Sequence, residues 1–161
     1  MNSYEEITGK IISTKKTGEI FTSAFRDENT IVFTNGCFDL LHRGHIYYLS
    51  KAKDLGTVLV IGLNSDASVS ALKGPGRPVN DQQARAEVLG ALSVVDYIVI
   101  FNQPTPLDLI NSIKPHILVK GGDYKEDNIV GGPEVISWGG KVVTVPILEG
   151  YSTSSIISRS S

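Results

Sequence analysis

IVFTNGCFDLLHRGHIYYL, residues 31–49, runs from an apolar stretch through a glycine turn into a segment with two histidines three apart. IVFT (31–34) is β-branched and aromatic and reads as a strand. Asn35 and Gly36 break it. GHIYYLSKAKDL (44–55) then places Ile46, Leu49 and Lys53 at helical spacing, and Gly56 stops the run. The unit is strand, turn and helix. His45 therefore falls near the first turn of the helix and His42 in the loop before it.

The same alternation continues outward. Further apolar runs are TVLVIGL (57–63), VDYIVIF (95–101), HILVK (116–120) and KVVTVPI (141–147). They are continuous rather than alternating, as in strands buried on both faces of a parallel sheet. Between them lie helix-like segments. Residues 81–93 follow Asn80 as N-cap, 105–114 open with Thr105 and Pro106, and 132–138 start at Pro133 in the same way. KIIS reads as a short extended piece. EIFTSAFRDE, with Ile20, Phe21 and Phe25 at helical spacing, reads as a helix packing on the sheet edge. The expectation is an α/β, Rossmann-like, doubly wound domain over residues 1–161, with a five-stranded, mainly parallel sheet and helices on both faces. Residues 1–30 would be an N-terminal extension packing on it.

Composition limits the function classes. The chain has 161 residues, a formal net charge of −2 and no block of one charge sign, so nothing favours a grip on nucleic acid or an anionic membrane. One cysteine, Cys37, rules out an internal disulfide and fits a reducing cytoplasm. No apolar run is long enough to span a bilayer, and the chain reads as cytoplasmic.

A helix N-terminus offers free N–H groups and partial positive charge. Gly36 and Gly44 allow close backbone approach beside it. Three readings of the histidine stretch compete. A structural histidine pair is the default. A zinc site needs more ligands than the sequence gathers, since the only other histidine, His116, starts a strand. Phosphate handling fits best. Three further stretches allow two readings each. LKGPGRPVNDQQAR (72–85) carries Lys73, Arg77 and Arg85, and is either a solvated loop or a mobile source of cations for a phosphate. LVKGGDY (118–124) leaves a strand at its C-terminal end, where open α/β sheets bind ligands. Its two glycines would let a flat base lie against the backbone, and Asp123 could read an acceptor hydroxyl, help hold a metal, or cap a turn. LEGYSTSSII (148–157) offers Ser152, Thr153 and Ser154 at another helix start, either as an ordinary serine cap or as a second phosphate cradle facing the same crevice.

FDLLHRGH resembles the H-x-G-H signature of the nucleotidyltransferase (cytidylyltransferase-like) superfamily. With LKGPGRPVN, VLGAL, TPLDLI, VKGGDY and GYSTS in order across residues 31–160, the chain resembles its heptose-activating adenylyltransferase subgroup. The resemblance implies transfer of AMP from ATP to D-glycero-β-D-manno-heptose 1-phosphate, yielding ADP-heptose for lipopolysaccharide core or surface glycan. It implies catalytic roles for His42, His45 and Lys73. It implies nucleotide and phosphate contacts from Asn35, Gly36, Cys37, Phe38, Gly44, Arg77, Lys120, Gly121, Ser152, Thr153 and Ser154. Acceptor contacts would come from Asp39, Arg85, Gly122 and Asp123. Cys37 stands where much of the superfamily has threonine; the heptose subgroup also has cysteine there. Mg²⁺ would come with ATP, held mainly by phosphates rather than protein side chains. A homodimer is implied, and a free-standing form with the pathway kinase on another chain, because only about thirty residues precede the first strand. Two alternatives stay open: the same chemistry on CTP with glycerol 3-phosphate or another small phosphate, and a non-catalytic nucleotide-binding module.

Overall fold

The structure is a computed structural model and describes residues 1–122 and 128–160. Its strands are β1 (Ile11–Ile12), β2 (Ile31–Gly36), β3 (Val58–Asn64), β4 (Tyr97–Phe101), β5 (Ile117–Gly121) and β6 (Lys141–Val145). They form one sheet in the order β1-β4-β3-β2-β5-β6, every neighbouring pair parallel. The helices are α1 (Ser3–Gly9), α2 (Thr17–Ile20), α3 (Ser23–Glu28), α4 (Arg43–Lys53) and α5 (Asp66–Lys73) in the first half. The second half adds α6 (Gln82–Gly90), α7 (Leu107–Ile113), α8 (Gly132–Ser137) and α9 (Thr153–Ser160).

The strands bury both faces, and the alternation shows in the packing. Ile31 and Phe33 of β2 join Val58 and Val60 of β3 on one face, under Ile110 and Ile113 of α7 and Val135 of α8. Val32, Leu59, Ile61 and Leu63 point the other way, under Leu49 and Ala52 of α4 and Ala86 and Leu89 of α6. The arrangement is α/β and doubly wound, as the continuous apolar runs imply.

Several boundaries differ from the sequence reading, each for a local reason. The sheet has six strands, not five, and is wholly parallel among the described residues. The extra strand is the extended piece at Ile11–Ile12, which pairs with Ile98 and Val99; two residues carry no periodicity to read. The helix expected over 19–28 is two. Phe21 turns inward, and Thr22 caps α3 by accepting the Phe25 N–H at 3.2 Å. Asp81, not Asn80, caps α6, accepting from Ala84 at 2.8 Å. Pro106 precedes α7 rather than opening it, and no side chain caps that helix. The short helix α5, capped by Ser65, and α1, with an Asn2–Glu5 capping box, had no apolar stripe to reveal them.

Chain order places the site. From β2 the chain moves to β3 and β4 on one side, and later returns to β5 on the other. The C-terminal ends of β2 and β5 thus flank the topological switch point, where a crevice opens. Gly62 of β3, opposite Asn35 in register, lets β2 settle there: a Cβ on it would lie 2.7 Å from Phe33 Cζ and 3.3 Å from Asn35 Cβ. Gly62→Ala is expected to cost ~1–3 kcal/mol by overpacking, read as a lower urea midpoint with an unchanged slope.

Candidate functional site

The helix α4 begins with an unusual cap. His42 is the N-cap residue, with extended backbone. Its Nδ1 accepts the Gly44 N–H at 3.0 Å. In return the His42 N–H donates to Nδ1 of His45 at 3.3 Å. The rings lie close and tilted, 3.9 Å between centroids and 32° between planes. Each Nδ1 is an acceptor, so each neutral ring carries its proton on Nε2. Gly44 is glycine because a Cβ there would sit 2.8 Å from Cε1 of His42. The two histidines and the glycine between them are one device: imidazoles satisfying backbone donors at a helix start.

Burial keeps these rings neutral. Desolvation pushes the His42 pKa below its ordinary value. It pushes His45, more deeply placed, down to about 4, with His42 adding to the effect. Phe38 supports His45 at 5.3 Å between ring centroids. Phe38 holds a left-handed backbone (φ 46°), which costs a non-glycine residue roughly 1–2 kcal/mol. Its ring lies over Gly36, where a Cβ would come within 2.9 Å of it.

A cavity of about 310 Å³ opens in front of this cap. It gathers Asn35, Gly36, Cys37, Phe38, His42, Gly44, His45, Lys120 and Gly121, all of them expected site residues. Lys120 donates to Asn35 Oδ1 at 2.8 Å, and burial lowers its pKa. Burial, the largest influence, raises the Cys37 thiol above its ordinary value against the pull of Lys73, Arg85 and Arg77, so the thiol is no nucleophile.

Other expected residues lie outside the cavity lining, with Lys73 and Arg77 near enough to act on the Cys37 thiol. Lys73 ends α5 and is exposed. Arg77 pairs with Asp39, Nε to Oδ2, at 2.8 Å. Ser152 accepts the Ser155 N–H at 3.0 Å, so the ordinary serine cap is real. Thr153 donates to Leu40 O at 3.2 Å and brings the start of α9 against the loop before α4. Ser154 is exposed beside them. The start of α9 thus lies against the loop before α4, while Ser152, Thr153 and Ser154 are not among the residues that line the cavity.

Three expectations for the acceptor and base need correction. Arg85 is 1% exposed, and its donors are spent on Asn80 O, Cys37 O, Asn64 O and Asp66. It ties the turn after β2 to the end of β3 and cannot reach a ligand. Asp39 is 3% exposed and its carboxylate is filled by protein donors. The faces of Gly121 and Gly122 are not bare: a Cβ would meet Tyr48 at 3.3 Å on the first and Ile147 at 3.3 Å on the second. Asp123 lies outside the described residues.

Sequence reasoning missed Tyr48, Ile147 and Tyr151, which also line the cavity. The Tyr48 hydroxyl shares a 2.7 Å hydrogen bond with Thr34 and donates to Val119 O at 3.2 Å, pinning α4 to β2 and β5. Its position three after His45 on the same helical face was the available signal. Tyr151 accepts from Arg43 at 3.0 Å and packs beside Gly44. Among the described residues, no group of three or more His, Cys, Asp or Glu could hold a metal ion. No described helix is long and apolar enough to cross a membrane.

A strand-to-helix turn with an imidazole cap, at the switch point of a parallel sheet, is a place where helix N–H groups and side-chain donors can receive an anion. Residues 33–159 match the cytidylyltransferase-like family, and the chain belongs to it. It is 59% identical over 129 residues to the bifunctional protein HldE of Methylobacillus flagellatus, covering 80% of this chain and 26% of that one. Against the bifunctional protein HldE of Trichlorobacter lovleyi it is 46% identical over 156 residues, 97% of this chain and 32% of the other. The chain therefore spans about a quarter to a third of the curated relatives it matches. The lipopolysaccharide core biosynthesis protein from Thermoplasma volcanium superposes with a TM-score of 0.60 at 28% identity, over 77% of this chain and 99% of that one. The pantoate-beta-alanine ligase of Francisella tularensis, at 17% identity and a TM-score of 0.61, shares the fold over 89% of this chain and 68% of its own.

Two outcomes follow from this geometry. His45 has a folded pKa near 4 against an ordinary 6.5, so between those values the unfolded chain binds more protons. Its contribution to stability is full above about 6.5 and is lost as pH falls toward 4. His45→Gln should flatten the fall of the urea midpoint across that window. Arg85→Met should cost ~1–3 kcal/mol, because it leaves three carbonyls without their donor while the 41% exposed Asp66 carboxylate turns to water, read by the same unfolding assay at pH 7.

Proposed function

We propose that this chain transfers AMP from ATP to D-glycero-β-D-manno-heptose 1-phosphate, giving ADP-heptose and pyrophosphate. The observation that carries the reading is the reciprocal imidazole cap, which leaves two neutral Nε2–H donors beside a helix N-terminus at the switch point. The choice of acceptor and base rests on the subgroup motifs and on the identity to the bifunctional HldE relatives.

The reaction needs little from the protein beyond alignment and charge. A phosphomonoester's second ionisation lies near pH ~6, so the acceptor arrives mostly dianionic and requires no general base. One of its oxygens attacks the α-phosphorus. The bond from that phosphorus to the bridging oxygen of the β-phosphate breaks, and pyrophosphate leaves with the electron pair. His42 and His45 donate Nε2–H to the α-phosphoryl oxygens. Neutral donors suit this step, since they need not lose a proton to release the product. Lys120, half-desolvated in the cavity wall, supplies fixed positive charge. Lys73 and Arg77, which both act on Cys37 in the cavity wall, close over the departing phosphates, and the N–H groups at the start of α9 take the β- and γ-phosphates. Thr153 has its hydroxyl committed to Leu40, so that cradle is mainly backbone with Ser152 and Ser154 beside it. Mg²⁺ would ride on the triphosphate oxygens and neutralise them. The same reading makes the protein a cytoplasmic enzyme.

The test is pyrophosphate release with Mg²⁺ from ATP, CTP, GTP or UTP, crossed with heptose 1-phosphate and glycerol 3-phosphate. Turnover confined to ATP with the heptose supports the proposal. CTP with glycerol phosphate as the active pair would keep the histidine chemistry and discard the heptose. Absence of turnover from any pair, with ATP still bound, would mean a non-catalytic nucleotide-binding module. In the active pair, His42→Ala and His45→Ala should each lower kcat by roughly 10²–10³.

A further inference from the structure

The segment between α5 and α6 carries Arg77 but has little packing of its own. Gly74 and Gly76 hold positive φ (88° and 80°), and a Cβ on either would meet nothing within 4 Å. What holds the segment is a carboxylate from elsewhere. Asp39 lies in the turn between β2 and α4, three residues before His42. Its Oδ1 accepts from the N–H groups of Val79 (2.9 Å) and Asn80 (3.0 Å). Its Oδ2 accepts from Val79 (2.8 Å) and from Nε of Arg77 (2.8 Å). The Asp39 side chain is 1% exposed and that of Arg77 17%. Ser70 adds a bond to the Arg77 carbonyl at 2.6 Å.

The way Arg77 is gripped matters. Asp39 takes only Nε, and among the described residues the terminal guanidinium nitrogens have no protein partner. Those nitrogens are the fork that binds a phosphate bidentately. Because the Asp39 charge is also shared with two backbone amides, it does not simply cancel Arg77. The same turn leads into the histidine cap, so one peptide segment fixes both the imidazole donors and Arg77.

We propose that Asp39 is a positioning residue. By holding the Nε edge of Arg77 and folding residues 77–80 around its carboxylate, it presents the free end of the guanidinium to a bound diphosphate. This rests on the phosphate-handling part of the functional reading and is independent of base and acceptor.

The probe is inorganic pyrophosphate with Mg²⁺, titrated calorimetrically into the full chain. Asp39→Asn and Arg77→Ala should each weaken binding by roughly tenfold or more. The double variant should bind no more weakly than Arg77→Ala alone, because Asp39 acts through Arg77. An Asp39 that served only folding would cost the same factor with or without Arg77, and such additivity overturns the proposal. Tighter binding by Asp39→Asn overturns it too and makes Asp39 a competitor. If Asp39→Asn does not fold, Arg77→Lys decides: it keeps the charge but loses the Nε edge and the fork, and wild-type affinity in it would sink the idea. Unmodified protein that fails to bind pyrophosphate also overturns it. Protein that binds pyrophosphate but turns over no substrate pair leaves the positioning role to the cycle and overturns only the transfer reaction.

Discussion

Two backbone N–H groups at the start of α4 are satisfied by imidazole nitrogens, and the chemistry of the site depends on that choice of cap. Serine or aspartate would satisfy such donors as well, at similar energy. Neither would leave a second N–H donor on the far side of the same group. An imidazole that accepts at Nδ1 must donate at Nε2, so the cap fixes the tautomer without a separate carboxylate partner. Burial then removes the cationic alternative, most strongly for His45. The result favours the neutral donor at both positions, more firmly at His45. Gly44 follows as a packing consequence, since any side chain there would collide with the His42 ring.

Around this cap the protein spends charged side chains on holding backbone rather than ligand. Arg85 is buried and would be costly unless every donor were used. It is bonded to three carbonyls and Asp66, and those carbonyls belong to the turn after β2, the end of β3 and the loop before α6. Asp39 does the converse job with a carboxylate, gathering N–H groups from that same loop. An arginine that donates and an aspartate that accepts thus stitch one irregular region from two sides. Such a region lacks the ladder hydrogen bonds of the sheet, so its precision has to come from side chains. The cations less consumed in this way are Lys120 in the cavity wall, Lys73 and Arg77.

The sequence made the layered α/β fold legible because five strands bury both faces and so read as continuous apolar runs. It marked KIIS as extended but could not show that its two isoleucines join the edge of β4, nor could it show α5, where Ser68 and Val69 are buried but no stripe repeats. The cavity was largely legible, since its residues lie at strand ends and helix starts whose positions follow from the pattern. Arg85 and Asp39 were not. A charged residue beside a phosphate loop looks the same in sequence whether it faces the ligand or the backbone. Only burial separates the two, and it depends on contacts across 48 residues in the case of Arg85 and Cys37. Tyr48 was missed for a related reason: its ring packs under Gly121 while its hydroxyl joins β2 to β5.

Selectivity has a different physical origin from catalysis in such a site, and the geometry says where it lies. Phosphate machinery is blind to base and sugar, because it contacts groups that every nucleotide and every phosphorylated acceptor shares. Discrimination needs shape and directed polar groups. The cavity wall opposite the histidines is the part with that character: Tyr48 and Ile147 occupy the faces of Gly121 and Gly122, with Tyr151 alongside. These side chains narrow the space that two bare glycines would have left open. A wall of aromatic and aliphatic side chains favours a flat or apolar surface, and a lysine bonded to a neutral amide at its edge favours an anion. On the proposed function, base and acceptor would be sorted by side chains on β5, on α4 and in the segment after β6, outside the H-x-G-H stretch assigned to the transfer.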